Sequence, residues 1–219
     1  MHRYVIPVAL GLLFSAPLAA QSADATLEKA VETYAGMKSV RASFEQTIEN
    51  PMTGSKAVAR GEIQQRKPNQ LSVRFTDPAG DQIIVDGTSV WVYLPSTNPG
   101  QVIKQSIKAG SAAMLDPTSE LLRSPRTRYT ITDAGTARLG ERSTRVLTLV
   151  PKTEMGFAKA TIWIDPADGT LRQFEVVDAN GLSRRVRLTN IRMNAVTEAS
   201  AFTFTPPAGV KVFEQPESR

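Results

Sequence analysis

The sequence predicts a mainly β fold with some helix, an antiparallel sheet of about eleven strands behind one N-terminal helix. Three observations predict it. Strand signals, several of them alternating apolar and polar residues, persist from Val40 almost to the C-terminus. Turn-forming clusters such as Asp86-Gly87, Asp165-Pro166-Ala167-Asp168-Gly169 and Asn180-Gly181 separate the runs at short intervals. The pattern breaks only between Ala109 and Pro125. Short links between successive strands argue for consecutive antiparallel pairing. The 219 residues, 41% hydrophobic and 21% charged, suit one domain with a real core.

The first segment, residues 1–20, reads as a secretory leader. Arg3 supplies the positive charge, Val5 to Leu13 the apolar stretch, and Pro17-Leu18-Ala19-Ala20 the breaker and small residues before a cut at Gln21. The apolar stretch is shorter than the roughly 20 residues that cross a bilayer. The mature chain, residues 21–219, is therefore expected to be soluble and exported. Its formal charge of +5 falls to +4 once Arg3 leaves with the leader. Export makes nucleic acid an unsuitable partner for that positive charge.

Asp24 is the expected N-cap of the helix, with Leu27, Val31 and Tyr34 at helical spacing and Gly36 ending it. Strands follow. Val40, Ala42, Phe44 and Ile48 alternate, then Asn50-Pro51-Met52-Thr53-Gly54 turns the chain. Residues 57–65 form the next run. Leu71, Val73 and Phe75 share one face beyond a turn at Arg66-Lys67-Pro68-Asn69. Residues 83–85 and 90–93 flank the Asp86-Gly87 hairpin, where Trp91 and Tyr93 share a face. The interrupting segment reads as two short helical pieces hinged at Pro117, with Met114 and Leu115 before it and Leu121 and Leu122 after it. Strands resume at residues 129–132, 146–150, 157–164, 171–177 and 182–188, and the last is expected at residues 202–205.

The chemistry is mostly one of absences. The sole histidine, His2, lies in the leader, and there is no cysteine. A mature chain without either has no Ser–His–Asp triad, no Cys–His pair and no usual zinc ligands. Asp165 with Asp168 suits a β-turn, and Asp116 with Glu120 a helix cap and a solvated face. Two arginine clusters, at 123, 126 and 128 and at 184, 185 and 187, read either as solvated surface or as docking surface. No catalytic residue, cofactor or metal is expected.

Several segments, in order, resemble the LolA family of periplasmic lipoprotein carriers. They are Val40-Arg41-Ala42-Ser43-Phe44-Glu45-Gln46, the stretch from Gly61 to Pro68-Asn69, Asp86-Gly87-Thr88-Ser89-Val90-Trp91-Val92-Tyr93, and the C-terminal stretch from Phe202-Thr203-Phe204 to Gly209-Val210. The resemblance implies an unclosed half-barrel of antiparallel strands, with short lid helices over its concave face. It implies a monomeric periplasmic carrier that takes triacylated lipoproteins from an inner-membrane LolCDE-type transporter and passes them to an outer-membrane acceptor of the LolB type. A related acyl- or glycolipid-binding or lipoprotein-sensing module of the same fold is the alternative. In this reading Leu71, Val73, Phe75, Trp91, Tyr93, Met114, Leu115, Leu121 and Leu122 line the acyl cavity. The family's latch to the lid is an arginine just before the proline of the second turn. Here Lys67 holds that position and Arg66 precedes it. Lysine lacks the planar guanidinium fork, so either residue is a candidate.

Overall fold

The computed structural model describes residues 22–107 and 117–215. The leader with its cut site, and Met114 and Leu115, lie outside the described residues. Helix α1, Ala23–Gly36, is capped by Ser22, whose side chain accepts from the Ala25 amide at 3.1 Å. Asp24, the expected cap, instead sits in the first turn, where a carboxylate favours the helix dipole. Leu27, Ala30 and Tyr34 form the buried stripe.

Six strands follow: β1 Ser39–Asn50, β2 Ser55–Arg66, β3 Gln70–Asp77, β4 Ala79–Val85, β5 Ser89–Tyr93 and β6 Gln101–Ser106. Two short helices, α2 Pro117–Leu122 and α3 Pro125–Arg128, lead to β7 Tyr129–Leu139, β8 Arg142–Pro151, β9 Lys159–Ile164, β10 Leu171–Val177 and β11 Ser183–Met193. A 3-10 turn at Ala199–Phe202 precedes β12, Lys211–Gln215.

All twelve strands form one sheet in the order β12-β6-β5-β4-β3-β2-β1-β11-β10-β9-β8-β7. Two consecutively paired runs, β1 to β6 and β7 to β11, meet at the β1–β11 pair. The end strands β7 and β12 do not pair, so the sheet is open. The expectation of about eleven strands differs in detail. Strand β6 carries a weak apolar signal and is not among the expected runs. Residues 202–205 are not a strand but a turn end and an extended run; the last strand is β12, and it pairs with β6 in parallel.

One core lies between the sheet and the helices. Leu27, Ala30 and Tyr34 of α1 and Leu121 and Leu122 of α2 pack on Leu147, Leu149, Ile162, Ile164, Leu171 and Phe174. The turn between β9 and β10 fastens α1. Lys29 Nζ donates to the Pro166 and Ala167 carbonyls at 3.1 and 2.6 Å, and Thr33 Oγ1 to that of Asp168 at 3.1 Å. Gly169 permits this approach. Its φ is +73°, and a Cβ there would stand 2.8 Å from the Lys29 carbonyl oxygen. No helix among the described residues is long and apolar enough to cross a membrane.

Candidate functional site

Directly paired residues of neighbouring antiparallel strands point to the same side of a sheet. The register therefore sorts every strand residue to the inner, helix-covered face or to the outer one. Ala42 pairs with Ile63, Ile63 with Val73 and Val73 with Ile83, while Phe44 pairs with Leu188 and Val186 with Phe174. These inner-face residues line a cavity of about 170 Å³, together with Val40, Phe75 and Ile191. Tyr34 of α1 and Pro117 and Thr118 of α2 close it from above. No carboxylate or cation lines it among the described residues; Gln46, Gln65, Thr118 and the Tyr34 hydroxyl are its polar groups.

Two rings shape the floor. Phe44 and Phe75 meet edge to face with centroids 5.3 Å apart. They can do so because Gly61 lies beneath, where a Cβ would stand 2.9 Å from Phe44 Cε1. Tyr34 is held in the roof, its hydroxyl accepting from the Leu171 amide at 3.2 Å.

The structure brings together some of the residues singled out in the sequence and separates others. Val73 and Phe75 line the cavity. Leu71 faces the same side but is buried in a small cluster with Val85 and Val90, beside the cavity rather than on its wall. Leu121 and Leu122 are 2% and 3% exposed and belong to the main core. They anchor α2, while Pro117 and Thr118 of that helix reach the cavity.

Trp91 and Tyr93 do not line it. Trp91 pairs with Ile84 and Tyr93 with Gln82, whereas the cavity residue Ile83 pairs with Val92. Both aromatic rings therefore face outward, and Phe204 packs on them at 5.6 and 5.9 Å between centroids. Trp91 Nε1 donates to Asp86 Oδ2 at 2.7 Å.

The two latch candidates separate as well. Lys67 Nζ donates to the Tyr34 carbonyl at 2.7 Å, in the last turn of α1. There a cation also meets the negative end of the helix dipole. Arg66 lies on the outer face, bonded to Gln70 at 2.7 Å, with its guanidinium 5.0 Å above the Phe202 ring. The described contact from this turn to the helical cover thus comes from Lys67, and it reaches α1.

A second fastening escaped sequence reasoning. Arg128 donates to the Glu120 carbonyl at 2.9 Å and to its carboxylate, tying α2 to the end of α3. Arg123 joins the same carboxylate, and Arg126 bridges to Asp24 and Glu28 of α1. All three arginines of this cluster thus have acidic partners within the molecule. The only signal in the sequence was the Glu120–Arg128 spacing across Pro125, which no helical period connects. In the second cluster Arg185 pairs with Glu175 at 3.0 Å on the outer face, and Arg184, opposite Ile48, takes the inner-face register. Asp165 serves its turn, accepting from the Ala167 amide and from Arg172 at 3.0 Å.

Displaced titrations lie away from the cavity. Burial pushes the Asp86 carboxyl up, but bonds from Trp91, from the Thr88 and Ser89 amides and from the Thr88 hydroxyl outweigh it and hold it below the usual range. The Gly135 amide and the Arg145 guanidinium do the same for Asp133.

Sequence comparison agrees with this architecture. Residues 35–205 match the family model described as "Outer membrane lipoprotein carrier protein LolA". A protein named outer-membrane lipoprotein carrier protein from Methylibium petroleiphilum is 30% identical over 200 residues, covering 89% of this chain and 94% of the relative. One of the same name from Proteus mirabilis is 27% identical over 215 residues, covering 98% and 100%. Among solved structures, a conserved protein from Thermus thermophilus shares the fold with a TM-score of 0.55 at 18% identity, covering 89% of this chain and all of that one. With the open sheet, the leading helix and a family match over most of its length, the chain belongs to the LolA family of outer-membrane lipoprotein carrier proteins.

Proposed function

We propose that this protein is a periplasmic carrier that binds the acyl chains of lipoproteins released from the inner membrane and delivers them to the outer membrane. The observation that carries the reading is the cavity: apolar, without a carboxylate or cation among its described lining, and roofed by α1 and a helix of six residues. Such a wall offers hydrocarbon a favourable surface, with only hydroxyl and amide groups as its polar points among the described lining.

The energetics explain why a carrier is needed. An acyl chain in a membrane gains about 0.8 kcal/mol per buried CH₂, so about fifteen methylenes hold it by roughly 12 kcal/mol. Three chains escape into water extremely slowly, and a protein cavity must replace the membrane. At about 170 Å³ the cavity is smaller than the ~300–1,000 Å³ of ordinary ligand pockets. Loading then requires the cover to move, with α2 the piece built to do so. A helix of six residues is unstable alone and stays only while tertiary contacts hold it.

In this reading residues 1–20 direct export and are removed, residues 21–219 act as one monomeric carrier domain, and Val73 and Phe75 meet the chains. A LolCDE-type transporter supplies the cargo and a LolB-type acceptor, where present, receives it. The test is incubation of the purified mature protein with a synthetic triacylated lipopeptide, read by native mass spectrometry. A one-to-one complex that the unacylated peptide does not form is expected. Equal binding of both peptides, or of neither, would refute the reading.

A further inference from the structure

The apolar floor of the cavity does not stop at Ile83. The row Ile63, Val73 and Ile83 continues in register through Val92 and Ile103 to Phe213. It crosses six neighbouring strands, β2, β3, β4, β5, β6 and β12, all on the inner face. At a strand spacing of about 4.8 Å the row is about 24 Å long. One leaflet's hydrocarbon is about half of a ~30 Å bilayer core, so a single acyl chain fits along it.

The first five side chains are half-buried and Phe213 is 50% exposed. Towards the edge the row is one residue wide. Gln101 and Lys211 flank it on one side, Gln105 and Gln215 on the other. Further in, the buried Leu71, Val85 and Val90 back it. The strand that completes it is placed by an unusual route. After β11 the chain packs Phe202 and Phe204 against the outer face, beneath Arg66 and beside Trp91 and Tyr93. It then returns to add β12 in parallel to β6, and the central inner-face residue of that strand is Phe213. Aligned, partly exposed apolar side chains continuous with a cavity mark a binding surface rather than scattered surface residues.

We propose that this row is an acyl-chain track: one hydrocarbon chain of the cargo leaves the roofed cavity along it and lies across β4, β5 and β6, ending at Phe213 on the sheet edge. The proposal rests on the carrier reading and specifies where part of the lipid goes. It also sets the side from which cargo enters, because the track opens at β12 and not at the α1 side of the sheet.

The test replaces Val73, Ile103, Phe213 or Val58, one at a time, with the photoreactive p-benzoylphenylalanine in the full mature chain. Val58 is exposed like Phe213 but takes the outer-face register. The probe is a synthetic triacylated lipopeptide labelled in its acyl chains. Crosslinking at positions 73, 103 and 213, and not at 58, is the expected result. Crosslinking at 73 without 103 and 213 would overturn the track and leave the carrier reading intact. Crosslinking at none of the four would overturn the carrier reading itself. A dimer formed through position 213 without lipopeptide would assign the row to a second copy of this chain and overturn the track. As an independent check, Phe213→Glu should weaken lipopeptide affinity about 5-fold or more with an unchanged melting temperature. Unchanged affinity would count against the track.

Discussion

Removing the Lys67 ammonium while keeping its stem, as in Lys67→Met, tests whether the helical cover is latched. Lys67 Nζ bonds the Tyr34 carbonyl at 2.7 Å, in the last turn of the helix whose Tyr34 side chain closes the cavity. A hydrogen bond from a charged group contributes about 1.5–3 kcal/mol, and the half-buried setting lowers this to about 1–2 kcal/mol. If the bond exists only while α1 is seated, the open population rises about 5- to 30-fold. The melting temperature falls by about 2–8 °C for a chain of this size. The assay pairs thermal unfolding with binding of a dye that fluoresces on apolar surface. More dye bound well below the melting transition, together with a lower melting temperature, is expected. Lys67→Arg, which still donates, should behave nearly as the parent does. A lower melting temperature without extra dye binding would make Lys67 an ordinary stabiliser and refute the latch. No change in either would refute the bond's contribution altogether.

Leu121→Ala, at a site 2% exposed, should cost about 2–5 kcal/mol in urea unfolding because it leaves a hole between α1, α2 and the sheet; a loss below about 1 kcal/mol would show that α2 is not part of the cooperative core. Gly169→Ala should lower the melting temperature by several degrees, since it forces a side chain into a positive φ and against the Lys29 carbonyl; an unchanged value would count against close seating of α1. The depressed Asp86 carboxyl adds stability that is present above its unfolded pKa and is lost as pH falls through its lower folded value. Asp86→Asn should therefore be less stable than the parent at pH 7, with the gap closing below about pH 4, and a gap independent of pH would refute the assignment. Phe75→Asn should weaken lipopeptide binding while Trp91→Phe leaves it unchanged, measured by fluorescence titration. The reverse order would put the binding surface on the outer face.

How far the sequence could be read depended on how many faces of a strand are covered. In β3, Leu71, Val73 and Phe75 alternate with Ser72 and Arg74, so the inner face was legible and two of the three line the cavity. In β4 and β5 the alternation vanishes. Ile83, Ile84 and Val85, and then Val90, Trp91, Val92 and Tyr93, are apolar in succession because the C-terminal segment covers their outer face. Nothing local then says which of two adjacent residues points inward, and Trp91 and Tyr93, expected at the cavity, take the outer-face register. The same covering segment hid β12. Its residues are exposed and only weakly apolar, and its parallel pairing with β6 depends on a connection that no local pattern encodes.

The long-range bonds explain why the cover's location was legible and its fastening was not. Pro117 and the break in alternation mark α2 in one dimension, but Arg128 reaches Glu120 around Pro125, and Lys67 reaches Tyr34 across 33 positions. The two fastenings are of one kind, a cation donating to a carbonyl oxygen at or near the end of a helix piece. Each is partly accessible to water, so each holds with a modest free energy that water can replace as the helix lifts. The apolar face of α2 is different, since Leu121 and Leu122 lose their partners on opening unless hydrocarbon takes their place. A cargo chain can do that, while an empty carrier cannot. In the proposed carrier, loading would shift the balance in proportion to how much better acyl chains cover an open form than the closed one. On the proposed carrier reading, the polar fastenings would set the resting population and the leucines would make opening conditional on lipid.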